Sequence, residues 1–273
     1  FAKSVTGAGD YYGALRGMLA WTVPYDANGA YIRNPAAGDV NIINPIDELD
    51  YTVNNRKGFI VNSSFYSQLD FGEMFSPLKG LKYRIQFGPE LRYNRNSTFY
   101  DKAGINGDGS NQATYNTSQI LSWTLDNLIY YDRNLGSSHK IGVTLMQSAS
   151  GYHSESSNMK SNTLATTNEL WYNIGSGGSL NGFGTGLSEK QMASYMARIN
   201  YGYKEKYLLT ASARLDGSSV LADGHKWAPF YSAALGWRID QEKFMKNVTF
   251  IDAMKLRLGA GVTGNAAIGA YGK

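Results

Sequence analysis

The chain has no cysteine and no long apolar segment, and each of these absences excludes a class of protein. Without cysteine there is no disulfide framework, no thiolate metal site and no cysteine nucleophile. No run of about 20 apolar residues is present, so the sequence predicts no transmembrane helix. Charged residues make up 18% of the 273 residues, below the roughly 25% typical of soluble domains. The net charge of +4, without a block of Lys or Arg, indicates no nucleic-acid partner.

Patterns that carry catalysis are also scarce. The three histidines, His139, His153 and His225, lie in separate segments. No zinc-protease, serine-hydrolase or nucleotide-binding motif appears, so the sequence predicts no enzyme. The amino terminus shows no charged and apolar signal segment, which we interpret as a processed chain or a piece of a longer one.

What the chain does have is alternation. From Leu81 to Tyr93, every second residue is apolar, aromatic or proline, and the residues between are polar, charged or glycine. Side chains of a strand point alternately to its two faces, so this segment predicts a strand with one apolar and one polar face. A membrane β-barrel needs such strands, with lipid outside and a wet or plugged lumen inside. The same pattern predicts nine strands, at about 11–22, 57–71, 81–93, 120–132, 139–149, 192–203, 207–216, 229–239 and 254–264.

The connections between these strands alternate in length. One set, 72–80, 133–138, 204–206 and 240–253, is the shorter, and the alternate set, 23–56, 94–119, 150–191 and 217–228, is mostly longer. Short turns at one end of an antiparallel sheet and long loops at the other are typical of outer-membrane barrels. Tyr83 and Tyr93 lie about 33 Å apart along their strand, roughly 25 Å of height at a tilt of about 40°, which matches the apolar band of such a barrel.

The predicted fold class is therefore all-β, an antiparallel transmembrane β-barrel segment. Nine strands is an odd number, whereas closed bacterial barrels have an even number, so we expect about nine to ten strands of a larger barrel. A soluble antiparallel sandwich, with the tyrosines in ordinary cross-strand packing, is the alternative.

The last third of the chain carries a closely spaced series of motifs. They are Tyr195-x-x-Arg198-x-Asn200-Tyr201, Lys206-Tyr207-Leu208-Leu209, Arg214-x-Asp216-Gly217-Ser218-Ser219, Gly236-Trp237-Arg238, Glu242-x-x-Phe244 and Lys255-Leu256-Arg257-Leu258-Gly259-Ala260-Gly261-Val262-Thr263-Gly264-Asn265. In order and spacing these closely resemble the barrel of the SusC-like (SusC/RagA), TonB-linked outer-membrane transporters. Val220-Leu221 and Gly259-Ala260 depart from the family pattern, in which Arg-Phe and Ser-Tyr are usual.

The resemblance implies that residues 1–273 are part of a TonB-dependent receptor barrel, with the plug domain and the C-terminal barrel strands outside the chain. It implies TonB-dependent import of large nutrients, oligosaccharides first and peptides second, across the bacterial outer membrane. The implied partners are membrane lipid, a SusD-like surface lipoprotein and the TonB complex, reached through an N-terminal region absent from the chain. Two alternatives stay open: a small passive porin or adhesin-type barrel, and a soluble glycan-binding β-sandwich.

Several side chains are candidates for contacts inside such a barrel. Arg84, Arg198, Arg214, Asp216 and Arg257 fall on the polar side of their strands, so we predict that they face the lumen and a plug. A structural role is the competing interpretation, because Asp216-Gly217 also has the chemistry of a turn. We interpret the excess of cations in the predicted lumen first as charges that pair with the plug, with attraction of acidic solutes as the alternative.

The long connections contain candidate ligand contacts. Aromatic rings beside Asn suit sugar rings, which are apolar on one face and hydroxylated at the edge. The candidates are Tyr100, Tyr115, Tyr152, Trp171 and Tyr172, and packing of the loops against each other is the alternative.

One loop is rich in oxygen ligands. Asp101, Asn106 and Asp108 lie within a Gly- and Asn-rich stretch, and Ca²⁺ prefers six to eight such oxygens. The EF-hand spacing and its final Glu are absent, so we interpret the stretch first as a plain surface loop, with a calcium site as the alternative. No other cofactor is predicted.

Overall fold

The computed structural model describes residues 18–36, 42, 44–46, 48–104, 106–107, 109–178, 180–246, 248 and 250–264. Nine strands occur in this part of the chain. They are β1 (Thr52–Asn62), β2 (Phe65–Asp70), β3 (Leu81–Tyr100), β4 (Asn111–Leu135), β5 (His139–Leu164), β6 (Gly182–Tyr203), β7 (Tyr207–Ser218), β8 (Trp227–Arg238) and β9 (Lys255–Gly261). Helices α1 (Glu48–Tyr51) and α2 (Phe71–Met74) have four residues each. Short 3₁₀ turns follow at Ser76–Leu78, Ile174–Gly177, Ile239–Gln241 and Lys243–Met245. Within these ranges, no helix has the length and apolarity that a membrane crossing requires.

All nine strands belong to one sheet, in the order β1-β3-β4-β5-β6-β7-β8-β9, and β2 also pairs with β3. From β3 onward each strand lies beside the next one in sequence. The pairs with a continuous register are antiparallel, as in β6 and β7, where Tyr203 lies opposite Tyr207 and Met192 opposite Ser218. This is the predicted up-and-down connectivity. The predicted alternation of connection lengths was wrong at the last two connections, because residues 239–254 between β8 and β9 outnumber residues 219–226 between β7 and β8.

The strands divide into two compact units. The first contains the described residues of 1–60, 92–120 and 154–187, and the second contains those of 61–91, 121–153 and 188–273. Strands β3 to β6 contribute residues to both units.

In the second unit, one face of the sheet is apolar and uncovered. Leu235 is 59% exposed although its strand, β8, is paired on both sides, and its partner Leu258 on the last strand, β9, is 64% exposed. Ile85, Phe87, Ile129, Leu145, Ile199, Leu209, Leu215, Tyr231 and Leu256 are exposed in the same way. We call this the apolar face. In the described part of the chain no second protein layer covers these side chains, as the barrel interpretation requires and a sandwich does not allow.

The first unit, by contrast, has a small buried core. Phe99 of β3, Ala113 of β4 and Leu164 of β5 pack with Trp171 and Ile174, and Val53, Tyr115 and Leu170 pack against this cluster. Trp171 and Ile174 belong to the connection between β5 and β6, so this connection is folded onto its own unit rather than extended as an open loop.

The strands are longer than the sequence predicts. β3 continues to Tyr100, β4 begins at Asn111, β5 continues to Leu164 and β6 begins at Gly182. The prediction of long loops at 94–119 and 150–191 was therefore wrong over most of its range. The added residues are mostly polar, with isolated apolar residues such as Phe99, Ala113 and Leu164, so they lack the alternation that marks the rest of each strand, while backbone pairing continues through them.

Two further boundaries differ. The predicted strand 57–71 is two strands, β1 and β2, separated at residues 63–64, and α2 begins at Phe71. Of the predicted strand 11–22, residues 11–17 lie outside the described residues, and residues 18–22 form bends and turns.

Two short connections depend on unusual backbone conformations. Gly80, with φ of +93°, precedes β3, and a Cβ there would overlap the carbonyl oxygen of Asp132, so only glycine fits. Between β6 and β7, Lys204 and Glu205 both have positive φ, at 51° and 56°. Two left-handed central residues are the signature of a type I′ hairpin turn, which usually selects Asn-Gly.

We predict that charge on the two faces of β8 has unequal effects. Ala233 lies on the apolar face between Ala211 and Ala260, about 16 Å along β8 from Arg238 at roughly 3.3 Å per residue. Ala233→Arg should destabilise the membrane-inserted full-length protein by about 2–4 kcal/mol, because lipid cannot solvate the guanidinium. The matched control is Ser232→Arg, which points to the opposite face. The measurement is the amount of heat-modifiable, folded protein in the outer-membrane fraction, and equal loss for both variants would contradict the assignment of faces.

Candidate functional site

The face opposite the apolar face carries the predicted polar residues of the second unit, and we call it the polar face. Arg84 Nε donates to Gln68 Oε1 at 3.0 Å, and its guanidinium carbon lies 4.8 Å from the centre of the Tyr66 ring. Arg214 Nε donates to Asp216 Oδ1 at 2.5 Å, and Arg214 Nη2 donates to Ser194 Oγ at 3.3 Å. Each cation is therefore held by neighbours on adjacent strands.

Hydroxyl and amide groups on β6, β7 and β8 also bond to one another on the polar face. Thr210 Oγ1 donates to Asn200 Oδ1 at 2.9 Å, and the hydroxyls of Ser212 and Ser232 are 2.7 Å apart. Arg198 lies opposite Ser212 and is exposed, and Arg257 is exposed on β9. The structure thus places all five predicted lumen residues on one hydrophilic surface. Their contact with a plug or with cargo stays a prediction.

Glu242 lies in the connection between β8 and β9, at the end of the sheet that also carries the turns 136–138 and 204–206, which we call the short-connection end. Its side chain bonds to three other residues. Its carboxylate accepts hydrogen bonds from Tyr207 Oη at 2.7 Å and Trp237 Nε1 at 3.1 Å, and from Lys206 Nζ at 3.2 Å. The side chain of Glu242 is only 15% exposed. These donors, the Tyr207 hydroxyl first, then the Trp237 indole and the Lys206 ammonium, lower the pKa of Glu242 below its ordinary value.

Sequence reasoning missed this cluster. Lys206-Tyr207, Trp237 and Glu242 all stand in the motifs of the last third, but the motifs say nothing of which side chains meet. One signal was available in the sequence. Glu242 follows the end of a strand at Trp237, and Lys206-Tyr207 begins the neighbouring antiparallel strand, so the two segments were expected at the same end of the sheet.

A second acidic residue in the same connection is also held. Asp240 accepts from Gln241 Nε2 at 2.7 Å and from Arg238 Nη2 at 3.0 Å. Both contacts lower the pKa of Asp240, the Gln241 amide first. The backbone amides of Ile239 and Asp240 donate to the carbonyl of Met254, so this connection is tied to the residue before β9.

The predicted ligand-contact aromatics do not share one environment. Tyr100 is the last residue of β3, Tyr115 lies within β4 and Tyr152 within β5, so these three stand on strands rather than in long loops. Tyr172 is 64% exposed. Trp171 is 4% exposed because it packs in the core of the first unit, its ring 5.6 Å from that of Tyr172. Because the indole is buried in this way, we assign Trp171 to packing and not to ligand contact.

The oxygen-rich loop is organised by its own backbone. Asp101 Oδ1 accepts from the amide of Ala103 at 2.9 Å, and Asn111 Oδ1 accepts from the amide of Lys102 at 2.9 Å. Asp108 lies outside the described residues. Among the residues that are described, no three His, Cys, Asp or Glu side chains come together as metal ligands. The calcium site predicted from Asp101, Asn106 and Asp108 stays a prediction.

Comparison with known proteins gives relatives of one kind. The chain is 32% identical over 269 residues to the TonB-dependent receptor P26 of Formosa agariphila, a match that covers 95% of this chain and 26% of that protein. It is 45% identical over 78 residues to the TonB-dependent receptor SusC of Bacteroides thetaiotaomicron, covering 29% of this chain and 8% of SusC. No family model matches the chain.

The fold has a counterpart among solved structures. The RagAB peptide transporter matches 91% of this chain with a TM-score of 0.78 at 20% sequence identity, and 27% of the transporter chain is covered. At this identity the likeness concerns the fold. The chain spans about a quarter of the length of the relatives it matches along most of its own length.

We predict that Glu242 stabilises the short-connection end only while it is ionised. Its lowered pKa means that its stabilising contribution is complete above the ordinary glutamate value of 4.5 and is lost as the pH falls through the folded-state pKa. Glu242→Gln should therefore lower the urea midpoint of the full-length protein at pH 7. The difference from the unsubstituted protein should shrink below pH 4.5.

The control is Glu205→Gln, an exposed glutamate in the turn between β6 and β7. Its substitution should leave the midpoint unchanged at both pH values. A Glu242→Gln deficit that persists undiminished in acid would contradict the ionic role of this residue.

Proposed function

Since the chain is a segment of the β-barrel of a SusC-like, TonB-dependent transporter of the bacterial outer membrane, we propose that the whole protein imports large nutrients, with oligosaccharides as the first class. In this proposal the sheet is part of the barrel wall. Energy reaches the protein through the TonB complex, and a SusD-like lipoprotein closes the extracellular mouth. No step of this function makes or breaks a covalent bond in the cargo.

The observation that carries the proposal is the division of the sheet into two faces. Apolar side chains such as Leu235 and Leu258 are exposed on one face, while Arg84 and Arg214 lie in hydrogen-bonded networks on the other. A wall of this kind separates lipid from an aqueous interior, which a transporter of polar solutes requires. The relatives named above are receptors and transporters, which supports import rather than catalysis.

Oligosaccharides are favoured over other cargo by the aromatic side chains of the first and second units. Tyr172 and Tyr152 are exposed, whereas Tyr100 at the end of β3 and Tyr115 in β4 are half-buried. An aromatic face binds the apolar face of a sugar, and its neighbours supply hydrogen bonds to the hydroxyl groups.

Peptides are the second candidate cargo. The solved transporter that shares this fold is named a peptide transporter. The arginines of the polar face, including Arg198 and Arg257, support the same class, because peptide carboxylates would be drawn toward them.

The two cargo classes are separated by a growth experiment. Cells that lack the full-length protein should lose growth on an oligosaccharide as sole carbon source, and dissipating the proton gradient should abolish uptake in cells that contain it. Loss of growth on peptides alone would select the second candidate. Uptake that persists without a proton gradient would favour a passive barrel and refute active import.

We predict that Tyr172→Ala weakens oligosaccharide binding by the full-length protein about two- to tenfold, since an aromatic contact contributes roughly 0.5–1.5 kcal/mol. The control is Phe250→Ala, which removes an aromatic ring that is 85% exposed in the connection before β9. Calorimetric titration with the growth-supporting oligosaccharide measures both. An equal effect of the two variants would argue against Tyr172 as a ligand contact.

A further inference from the structure

A slot lies between two tryptophans on the apolar face of the second unit. The indole of Trp123 lies against Gly151 of β5, and the indole of Trp227 lies against Gly217 of β7. A Cβ at Gly151 would come within 2.5 Å of Trp123 Nε1, and one at Gly217 within 2.8 Å of three Trp227 ring atoms. Both glycines are therefore needed for the rings to lie flat on the sheet.

The floor of the slot is made of small side chains. β6 runs between β5 and β7, so the two indoles are separated by two strand spacings, about 9.6 Å. Ala149 and Ala193 line the space between them, which has a volume of about 450 Å³. Trp123 is 37% exposed and Trp227 is 48% exposed, so both walls are open to a ligand.

Polar groups lie along one edge of this slot. Gln191, Ser219 and Lys226 line it together with the two tryptophans. Ser219 Oγ accepts from the backbone amide of Gln191 at 2.9 Å, which fixes the hydroxyl beside the Gln191 side chain. Lys226 Nζ is 2.8 Å from Asp223 Oδ1 in an exposed pair, and exchange of such a partner for another anion costs little free energy.

The slot stands where the apolar face ends. Leu215 and Tyr231 continue the apolar face on β7 and β8, and the connection 219–226 follows on the other side. This connection lies at the end of the sheet opposite the three-residue turn between β6 and β7, and tight turns of this kind are periplasmic in outer-membrane barrels. Aromatic residues at this level lie among lipid headgroups, and the outer leaflet of the bacterial outer membrane is built from glycolipid.

We propose that this slot binds a sugar residue in the headgroup of an outer-leaflet glycolipid. The apolar C–H face of the sugar lies on an indole, its hydroxyls bond to Gln191 and Ser219, and a headgroup phosphate replaces Asp223 as the partner of Lys226. The site is separate from the path of the cargo, because it lies on the face opposite Arg198 and Arg214. It is continuous with the lipid-contacting surface, which favours a lipid-borne sugar over a soluble one.

The test uses the full-length protein in nanodiscs of phospholipid, with and without a rough-type lipopolysaccharide that has a phosphorylated core. Native mass spectrometry after detergent exchange counts the glycolipid molecules retained per protein. Ala193→Phe fills the floor of the slot and should reduce retention about tenfold, a loss of roughly 1.4 kcal/mol of binding free energy. Ala233→Phe adds the same ring to the apolar face away from the slot and should retain as much glycolipid as the unsubstituted protein.

A second variant protects the test against misfolding. Trp227→Leu removes one wall without adding bulk, and it should lower retention while folded protein, measured by heat-modifiable migration, stays constant. Equal retention by the unsubstituted protein and both slot variants would overturn the proposal. Equal competition by sugar-free phospholipid would show an acyl-chain groove instead, and equal binding of the deacylated core sugar would show a soluble-sugar site. Either result overturns it as well.

Discussion

The period of two along each strand, held in register across the sheet, is the constraint on which this structure depends. Tyr201, Leu209, Leu235 and Leu258 lie opposite one another in a single row from β6 to β9. The adjacent row holds Asn200, Thr210, Ala234 and Gly259. A slip of one residue would exchange the rows between the faces and place hydroxyls in lipid and leucines in the lumen. Because backbone groups in a membrane have no water to bond, strand pairing and face selection stabilise each other.

The two units are stabilised by different means. At the short-connection end, charged and aromatic side chains bond across turns, with the Glu242 carboxylate at the centre. In the first unit, apolar packing around Phe99 and Trp171 orders the strand residues and the connection that follows β5. The apolar face needs neither kind of contact, since lipid itself solvates its side chains.

The sequence predicted what alternation can reveal and little more. Strand faces from Leu81 to Tyr93 and from Tyr207 to Leu215 were correct, because lipid on one side and water on the other impose opposite residue types. Strand ends were wrong in 94–100 and 150–164, where most residues are polar and the apolar ones, such as Phe99 and Leu164, do not alternate, so that backbone pairing leaves no periodic trace in the sequence. Trp171 shows a second limit: an aromatic beside Asn serves a ligand or a core equally well, and only its burial decides. Glu242 required tertiary contacts that motif order does not encode.

The Lys204-Glu205 turn has a consequence for the order of assembly. Neither residue prefers a left-handed backbone, and each such residue carries a cost of roughly 1 kcal/mol or more. The amide of Lys204 donates to the carbonyl of Ser138 at 2.6 Å, so the turn is stabilised by the preceding hairpin rather than by its own residues. We therefore expect the hairpin of β6 and β7 to be a poor nucleus by itself and to close after β4 and β5 have paired.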